Sequence, residues 1–566
     1  MKLKTALLGA ACAFAMAPAA QADRGTDGEV KLTFPQAVSI MNPYLSAGTK
    51  DVIAASMVVE PLAGFDDKGN LIARLVTEIP SVANGGISAD LTTITWKLIP
   101  GLLWSDGSPL TADDVVFTAN YCLDPAGGCA SLSKYDGIAS VEAVDPLTVK
   151  VTFTAPKPNP FAAFVGSQAP IIQKAQFAPC IGAAAPTCTD QNNMPVGTGP
   201  FKVVGFTVND TVSMEANPNY RDAAKPTFAS AMIKGGGDAE GSARAVMETG
   251  EFDYAWNTQI PPDSQAAMST AGKGQFVVAF GTSVERIEVN LTDPSADLAE
   301  GERSTVKHPH PILSDIRVRQ ALSMAIDRQI LSDVGYGAGG SPTCNVIPNP
   351  PAFVSDNTGC LTQDIEGAKA LLEEAGWMVG ADGIREKDGK KLQLLYQTTV
   401  NPIRQDFQAL VKDWWAEIGV GTELKATDPG VFFGGDAGSP DTYQKFYADV
   451  EMFTNNFDGT DPESFMAGYL CSKIPGPDSQ WQGDNINRYC DAAYDAKWAE
   501  LSAASDPAMR QQISIALNDM VTKDSFTVIP LVHRGTLSAH SNALGGVIIN
   551  AWDTELWNVA DWYRVK

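Results

Sequence analysis

Alternating apolar and polar positions mark two strands in the first third of the chain. Leu147, Val149, Val151 and Phe153 alternate with Thr148, Lys150 and Thr152, and Ile94, Trp96 and Leu98 repeat the pattern, the period of a half-buried strand. Between them Thr111 is placed to cap a helix, with Asp114 three residues on and Val115, Ala119 and Cys122 at helical spacing. In the second half Asp315 precedes Val318, Ala321, Leu322, Ala325 and Ile326, which predicts a helix with one buried face. Asp364 precedes Ala368, Leu371, Leu372 and Ala375, and Gly376 closes that helix. Phe407, Leu410, Val411 and Trp414 mark the buried face of a third. Strand-like stretches separate these helices, so the class is mixed α/β.

The N-terminus reads differently. Lys2 and Lys4 precede an apolar run from Ala6 to Ala17, and Ala20-Gln21-Ala22 follows. This is the pattern of a secretory signal peptide over residues 1–22, cleaved before Asp23, and it predicts an exported protein. No later stretch reaches the ~18 apolar residues that a membrane span needs. The 566 residues predict two to four domains. A hydrophobic fraction of 44 % excludes a largely disordered chain. The net charge of −25 disfavours nucleic acid and anionic membranes as partners. Apart from Cys12 in the leader, the cysteines fall as neighbours: Cys122/Cys129, Cys180/Cys188, Cys344/Cys360 and Cys471/Cys490. Eight cysteines allow 105 connectivities; local pairing in an oxidising compartment is the simplest expectation.

Catalytic constellations are missing. The chain has no phosphate-binding G-x-x-x-x-G-K-[ST], no H-E-x-x-H and no G-x-S-x-G. His308-Pro309-His310 reads as a surface loop, and Gly335-Tyr336-Gly337-Ala338-Gly339-Gly340 reads as the exit of a helix. No C-x-x-C occurs and no histidine lies near a cysteine pair, so no metal and no cofactor is expected. A secreted hydrolase is left without a supporting motif.

Four ordered segments resemble the family 5 extracellular solute-binding proteins of ABC importers, which include dipeptide-, oligopeptide- and nickel-binding proteins. They are Trp104-Ser-Asp-Gly-Ser-Pro-Leu-Thr-Ala-Asp-Asp-Val-Val-Phe117, Pro195-Val-Gly-Thr-Gly-Pro-Phe-Lys202, Asp315-Ile-Arg-Val-Arg-Gln-Ala-Leu322 running on to Ala325-Ile-Asp-Arg328, and Ala368-Lys-Ala-Leu-Leu-Glu-Glu-Ala-Gly-Trp377. The resemblance implies a periplasmic binding protein-like fold of type II: two α/β lobes joined by hinge crossovers, with an extra inserted domain. The implied division is lobe 1 over 23–66, the inserted domain over 67–194, lobe 1 again over 195–285, lobe 2 over 286–525, and a return to lobe 1 over 526–566. It also implies a monomer that captures a solute without altering it and hands it to a membrane permease and ATPase complex.

The implied site centres on Phe457-Asp458-Gly459-Thr460-Asp461-Pro462-Glu463-Ser464-Phe465. It is similar to a segment of peptide-binding members whose leading acid holds the peptide's α-ammonium group. Asp458 takes that position, and Asp461 before Pro462 is the capping residue of the next turn. The resemblance also supports a Cys471–Cys490 bridge. Further ligand candidates are Gly48 and Thr49 in an N-terminal loop, Asn455 and Asn456 just before Asp458, and Arg286 and Glu288 on an expected crossing strand over 284–291. Trp256 and Asn257 follow an apparent strand and complete the set. Dipeptide-binding members carry an arginine shortly before the Asn-Pro of the third helix. Here Gln397-Thr398-Thr399-Val400 stands before Asn401-Pro402, and Arg404 comes after. This favours an oligopeptide bound through its backbone as an added strand, or a related amine-bearing solute, over a dipeptide. Nickel complexes, opines and oligosaccharides are the alternative cargoes that the family suggests.

Overall fold

The computed structural model describes residues 24–299, 301–457 and 459–566. The expected leader and its cleavage point before Asp23 lie outside the described residues, as does Asp458. Among the described residues no helix is long and apolar enough to cross a membrane.

Two large sheets organise the chain. The first has the strand order Gly274–Ala279, Thr536–Ser541, Tyr254–Ala255, Glu29–Phe34, Ser230–Gly235, Thr211–Ala216, Phe201–Thr207. Glu29–Phe34 is its centre, parallel to both neighbours. It buries Val30, Leu32 and Phe34 against Met57, Val58 and the C-terminal Leu556 and Trp562. The second sheet runs Gly340–Pro342, Val528–Arg534, Val284–Val289, Val450–Asn455, Gln393–Thr399, Gly421–Thr427. Its Ile287 and Val289 pack with Val318, Leu322, Phe407 and Trp415 from the covering helices.

The chain passes between the sheets twice. Residues 280–283 link Gly274–Ala279 to Val284–Val289, and Gly535 alone links Val528–Arg534 to Thr536–Ser541. The crossings lie side by side: the Arg534 N–H donates to Ser283 O (3.1 Å) and the His533 ring pairs with Gly281 O (3.0 Å). Sheet membership thus changes at 280–283 and at Gly535, against the expected changes after 285 and after 525. Val284–Val289 is a strand of the second sheet along its whole length and is not itself the crossing, because all six of its residues pair with Val450–Asn455.

A third unit holds the sheet Thr93–Lys97, Thr148–Phe153, Ile138–Asp145 and the helix Ala112–Leu123. The capping reading of Thr111 and Asp114 holds: the Thr111 N–H donates to Asp114 Oδ2 (2.9 Å). The same carboxylate accepts from the Trp104 indole and the Lys174 N–H. One acid thereby ties together the start, the helix and the far side of the Trp104–Phe117 segment. The core of this unit also takes in Tyr44, Leu62 and Ala63, which precede the expected boundary at 67. The chain between the two large sheets and this unit closes on the Pro195–Lys202 run. A Cβ on Gly197 would stand 1.8 Å from Val58 O, so only glycine admits this backbone approach.

Elsewhere the agreement is local and the differences are instructive. Disulfides join Cys122–Cys129, Cys180–Cys188, Cys344–Cys360 and Cys471–Cys490, each pair adjacent in sequence. Gly376 has φ +87°, the left-handed conformation of a residue just past a helix end. The third helix, Pro402–Glu417, buries Ile403, Phe407, Val411 and Trp415. Leu410 and Trp414, also placed in that face by the sequence pattern, are half-buried and pack against the same core.

Crowding at the first crossing can be tested. A Cβ on Gly281 would meet Ala551 O at 2.1 Å. Gly281→Ala is expected to destabilise the protein by ~1–3 kcal/mol, read as a lower urea midpoint. An unchanged midpoint would contradict the close approach.

Candidate functional site

Between the two sheets lies a cleft holding about 1840 Å³ of space free of protein atoms, open solvent at its mouth included. Ser283, Arg534 and Thr536, from the crossings and their flanks, form its floor. The first-lobe wall carries Ser46, Ala47, Thr49, Trp256 and Asn257, with Ser131 and Ser133 added from the third unit. Opposite stand Phe433, Tyr443, Phe453, Phe465 and Tyr469. The walls touch at one rim, where Ser46 and Gly434 form a β-bridge.

Six of the expected ligand residues reach this cleft: Thr49, Trp256, Asn257, Arg286, Asn455 and Asn456. Trp256 serves two purposes, since it also packs on Phe34 at 5.0 Å within the first core. Asn257 has φ +54°, which turns the backbone at the end of Tyr254–Ala255. Gly48 sits behind the wall as the cap of helix Thr49–Ala55, its N–H donating to Ser46 Oγ (3.0 Å). Glu288 stays out of the wall and pairs with Arg286. Asp458 lies outside the described residues, but both neighbours are pinned. Thr282 in the first crossing exchanges hydrogen bonds with the Phe457 backbone, and the Gly459 N–H donates to Trp552 O (2.7 Å). Asp461 accepts from the Glu463 N–H (3.0 Å), the capping role expected of it.

The sequence matches the bacterial extracellular solute-binding proteins, family 5 Middle, over residues 77–476. The chain belongs to this family. A curated relative, the glutathione-binding protein GsiB of Escherichia coli, is 24 % identical over 551 residues, covering 96 % of this chain and 94 % of that protein. Among solved structures, the oligopeptide-binding protein AppA of Bacillus subtilis in complex with a nonapeptide superposes with a TM-score of 0.79 at 20 % identity, covering 96 % of this chain and all (100 %) of that one. NikZ of Campylobacter jejuni in complex with Ni(L-His) gives 0.78 at 22 % identity, covering 95 % and 99 %. The shared fold is the type II, two-lobed binding-protein architecture.

In this family member the cleft floor carries a charge cluster that the sequence pattern did not reveal. Arg404 donates to both oxygens of Glu285, at 2.8 and 3.3 Å, and Arg534 approaches the same carboxylate at 3.8 Å. Burial alone would raise the Glu285 carboxyl, but the charge and hydrogen bonds of Arg404, aided by Arg534 and Thr454, hold it below the ordinary carboxylate range. Arg534 also acts on the buried Glu555 carboxyl in the same lining, so the cluster joins both lobes' charges at the floor. Arg404 was visible in sequence only as an arginine on the wrong side of Asn401-Pro402. Its approach to the cleft follows from Asn401, which caps the helix by accepting from the Arg404 N–H (3.0 Å). Nothing in the pattern around Arg534 marks it.

A second charged network bridges the lobes. Lys157, from the third unit, donates to Glu463 on the second lobe (2.5 Å), and Glu463 is held in turn by Arg510, which also clasps Asp461. Lys473 meets Asp136 across the same gap (2.6 Å). Glu463 is almost wholly buried, so this pair is shielded from water and salt as surface pairs are not.

The histidines do not form a site. His310 is buried: its Nε2 pairs with Asp449 (2.8 Å) and its Nδ1 accepts from the Ile312 and Leu313 N–H groups. It is a packed turn residue, which corrects the surface-loop expectation, and Asp449 is the partner that makes its burial possible. Among the described residues no cluster of three or more His, Cys, Asp or Glu is arranged to hold a metal ion.

On the cleft side of the second sheet, Glu288 and Glu451 stand directly opposite on paired strands. Glu288 has Arg286; neither Glu451 oxygen has a hydrogen-bond partner. Burial, reinforced by the facing Glu288, pushes the Glu451 carboxyl well above its ordinary value, against the weaker pull of Arg488 and Lys425. Below the ordinary carboxylate pKa both folded and unfolded chains hold the proton. Above it the unfolded chain ionises while the folded chain resists, so Glu451 costs stability as pH rises through that window. Glu451→Met is therefore expected to raise the thermal midpoint at pH 7, by ~1–3 °C for a chain of this size, with the gain shrinking toward pH 4 in scanning calorimetry.

Proposed function

We propose that this protein captures oligopeptides, or closely related amine-bearing solutes, and delivers them unchanged to an ABC importer in the cell envelope. The observation that carries this reading is a two-lobed cleft with the Arg404–Arg534 pair, held by Glu285, at its floor. With Asp458 as the proposed second partner, a zwitterionic guest is matched at each end. A water-poor cleft demands this, because an unpaired buried charge is strongly unfavourable. The peptide named for the AppA complex and the glutathione named for GsiB support the same solute class. No catalytic group is invoked. Closure of the lobes around the solute selects the form that the permease recognises.

Asp458 is the proposed anchor for the α-ammonium group. Asp458→Ala is expected to weaken binding of a free-amine tetrapeptide by ~2–5 kcal/mol in titration calorimetry, and N-acetylation of that peptide is expected to do the same to the wild type. Full affinity for the acetylated peptide would overturn the assignment. Mass spectrometry of solute released from protein purified without refolding checks the cargo: a sugar, opine or metal chelate in place of a peptide would overturn that part.

Closure gives a second expectation. Lys157 lies outside the cleft wall but bridges the lobes. Lys157→Met should therefore weaken peptide binding, by roughly tenfold given that Arg510 remains on Glu463, chiefly through faster release in stopped-flow displacement. An unchanged release rate would show that the bridge does not hold the closed form.

A further inference from the structure

Arg286 and Tyr469 present an unsatisfied pair of donors to the cleft. Both side chains line it, and both are more than nine-tenths buried. The Arg286 Nε donates to Glu288, and its guanidinium lies over the Phe465 ring with the central carbon 5.4 Å from the ring centre. That leaves Nη1 with no hydrogen-bond partner, and the Tyr469 hydroxyl likewise has none. The guanidinium acts on the phenol through its charge and through a weak hydrogen bond to the phenol oxygen, but the phenol O–H itself still lacks an acceptor. Buried guanidinium and phenol donors without an acceptor are costly to maintain, and native interiors rarely hold them.

We propose that Arg286 and Tyr469 form a subsite for an anionic side chain of the guest, a carboxylate that accepts from Arg286 Nη1 and the Tyr469 hydroxyl together. The ring of Phe465 and the Glu288 carboxylate fix the guanidinium in place, one by stacking and one by charge, so the fork is aimed before the guest arrives. The subsite stands on the second-lobe wall, on the opposite face of strand Val284–Val289 from Glu285 and its arginines. It is therefore separate from the cluster at the floor. A carboxylate in this position is recognised against the long-range field of a chain whose net charge is −25, so a preference for it has to come from local contact.

This subsite rests on the peptide reading above, and the test separates the two. The probes are eight alanine-based tetrapeptides, each with Glu or the isosteric Gln at one of the four positions, titrated calorimetrically into the full-length secreted protein. For at least one position the Glu peptide is expected to bind ten-fold or more tightly than its Gln counterpart. Arg286→Gln is expected to bring that ratio below about twofold, and Tyr469→Phe, which keeps the ring and removes only the hydroxyl, to cut it by about threefold or more. Equal affinity for Glu and Gln peptides at every position, or a ratio unchanged in both variants, overturns the subsite while leaving peptide binding intact. If none of the eight peptides binds the wild type, the peptide reading fails and the subsite falls with it.

Discussion

The structure depends on two short crossings that lie side by side. Residues 280–283 and Gly535 are the whole of the covalent link between the two large sheets on this side of the molecule, and they are tied to each other by Arg534 and His533. Thr282, inside the first crossing, also holds the Phe457 backbone. The Phe457 backbone is thereby fixed to the pivot itself. Hinges of this kind confine motion to a few residues and leave the packed lobes rigid, so a solute between the lobes meets walls whose shape is already set.

Around that pivot, deeply buried charge is handled in three ways: by a counter-ion, by backbone carbonyls as at Arg328, or by a move toward neutrality. Glu285 is matched by Arg404 with Arg534 in reserve. Glu463 is matched from both sides of the gap by Arg510 and Lys157. Glu451 has no direct partner and moves toward neutrality. Removing one member of a matched set leaves the other exposed to the full cost of burial.

Local features were legible in the sequence because neighbours in the chain decide them. The cap at Thr111 and Asp114, the helix end at Gly376 and the turn at Asp461 each involve groups within a few residues of one another. The cysteine pairs were legible for the same reason, every bridge closing a loop of 19 residues or fewer. The buried face of Pro402–Glu417 was legible too, with Phe407 and Val411 fully buried and Leu410 and Trp414 packed at the edge of the same core. The lobe boundaries slipped further, because crossings of four residues and of one are too short to carry a pattern of their own.

By itself the sequence determined the α/β class, the ordered family segments, the capped helices and the local cysteine pairs, all carried by residues close along the chain. Only the tertiary structure decided which residues meet in the cleft. Glu285, Arg404 and Arg534 are separated by more than a hundred residues in places, and Lys157 is 306 positions from Glu463. No periodicity encodes such contacts. They exist because two sheets, each closed by its own core, are brought face to face by crossings too short to let them part sideways.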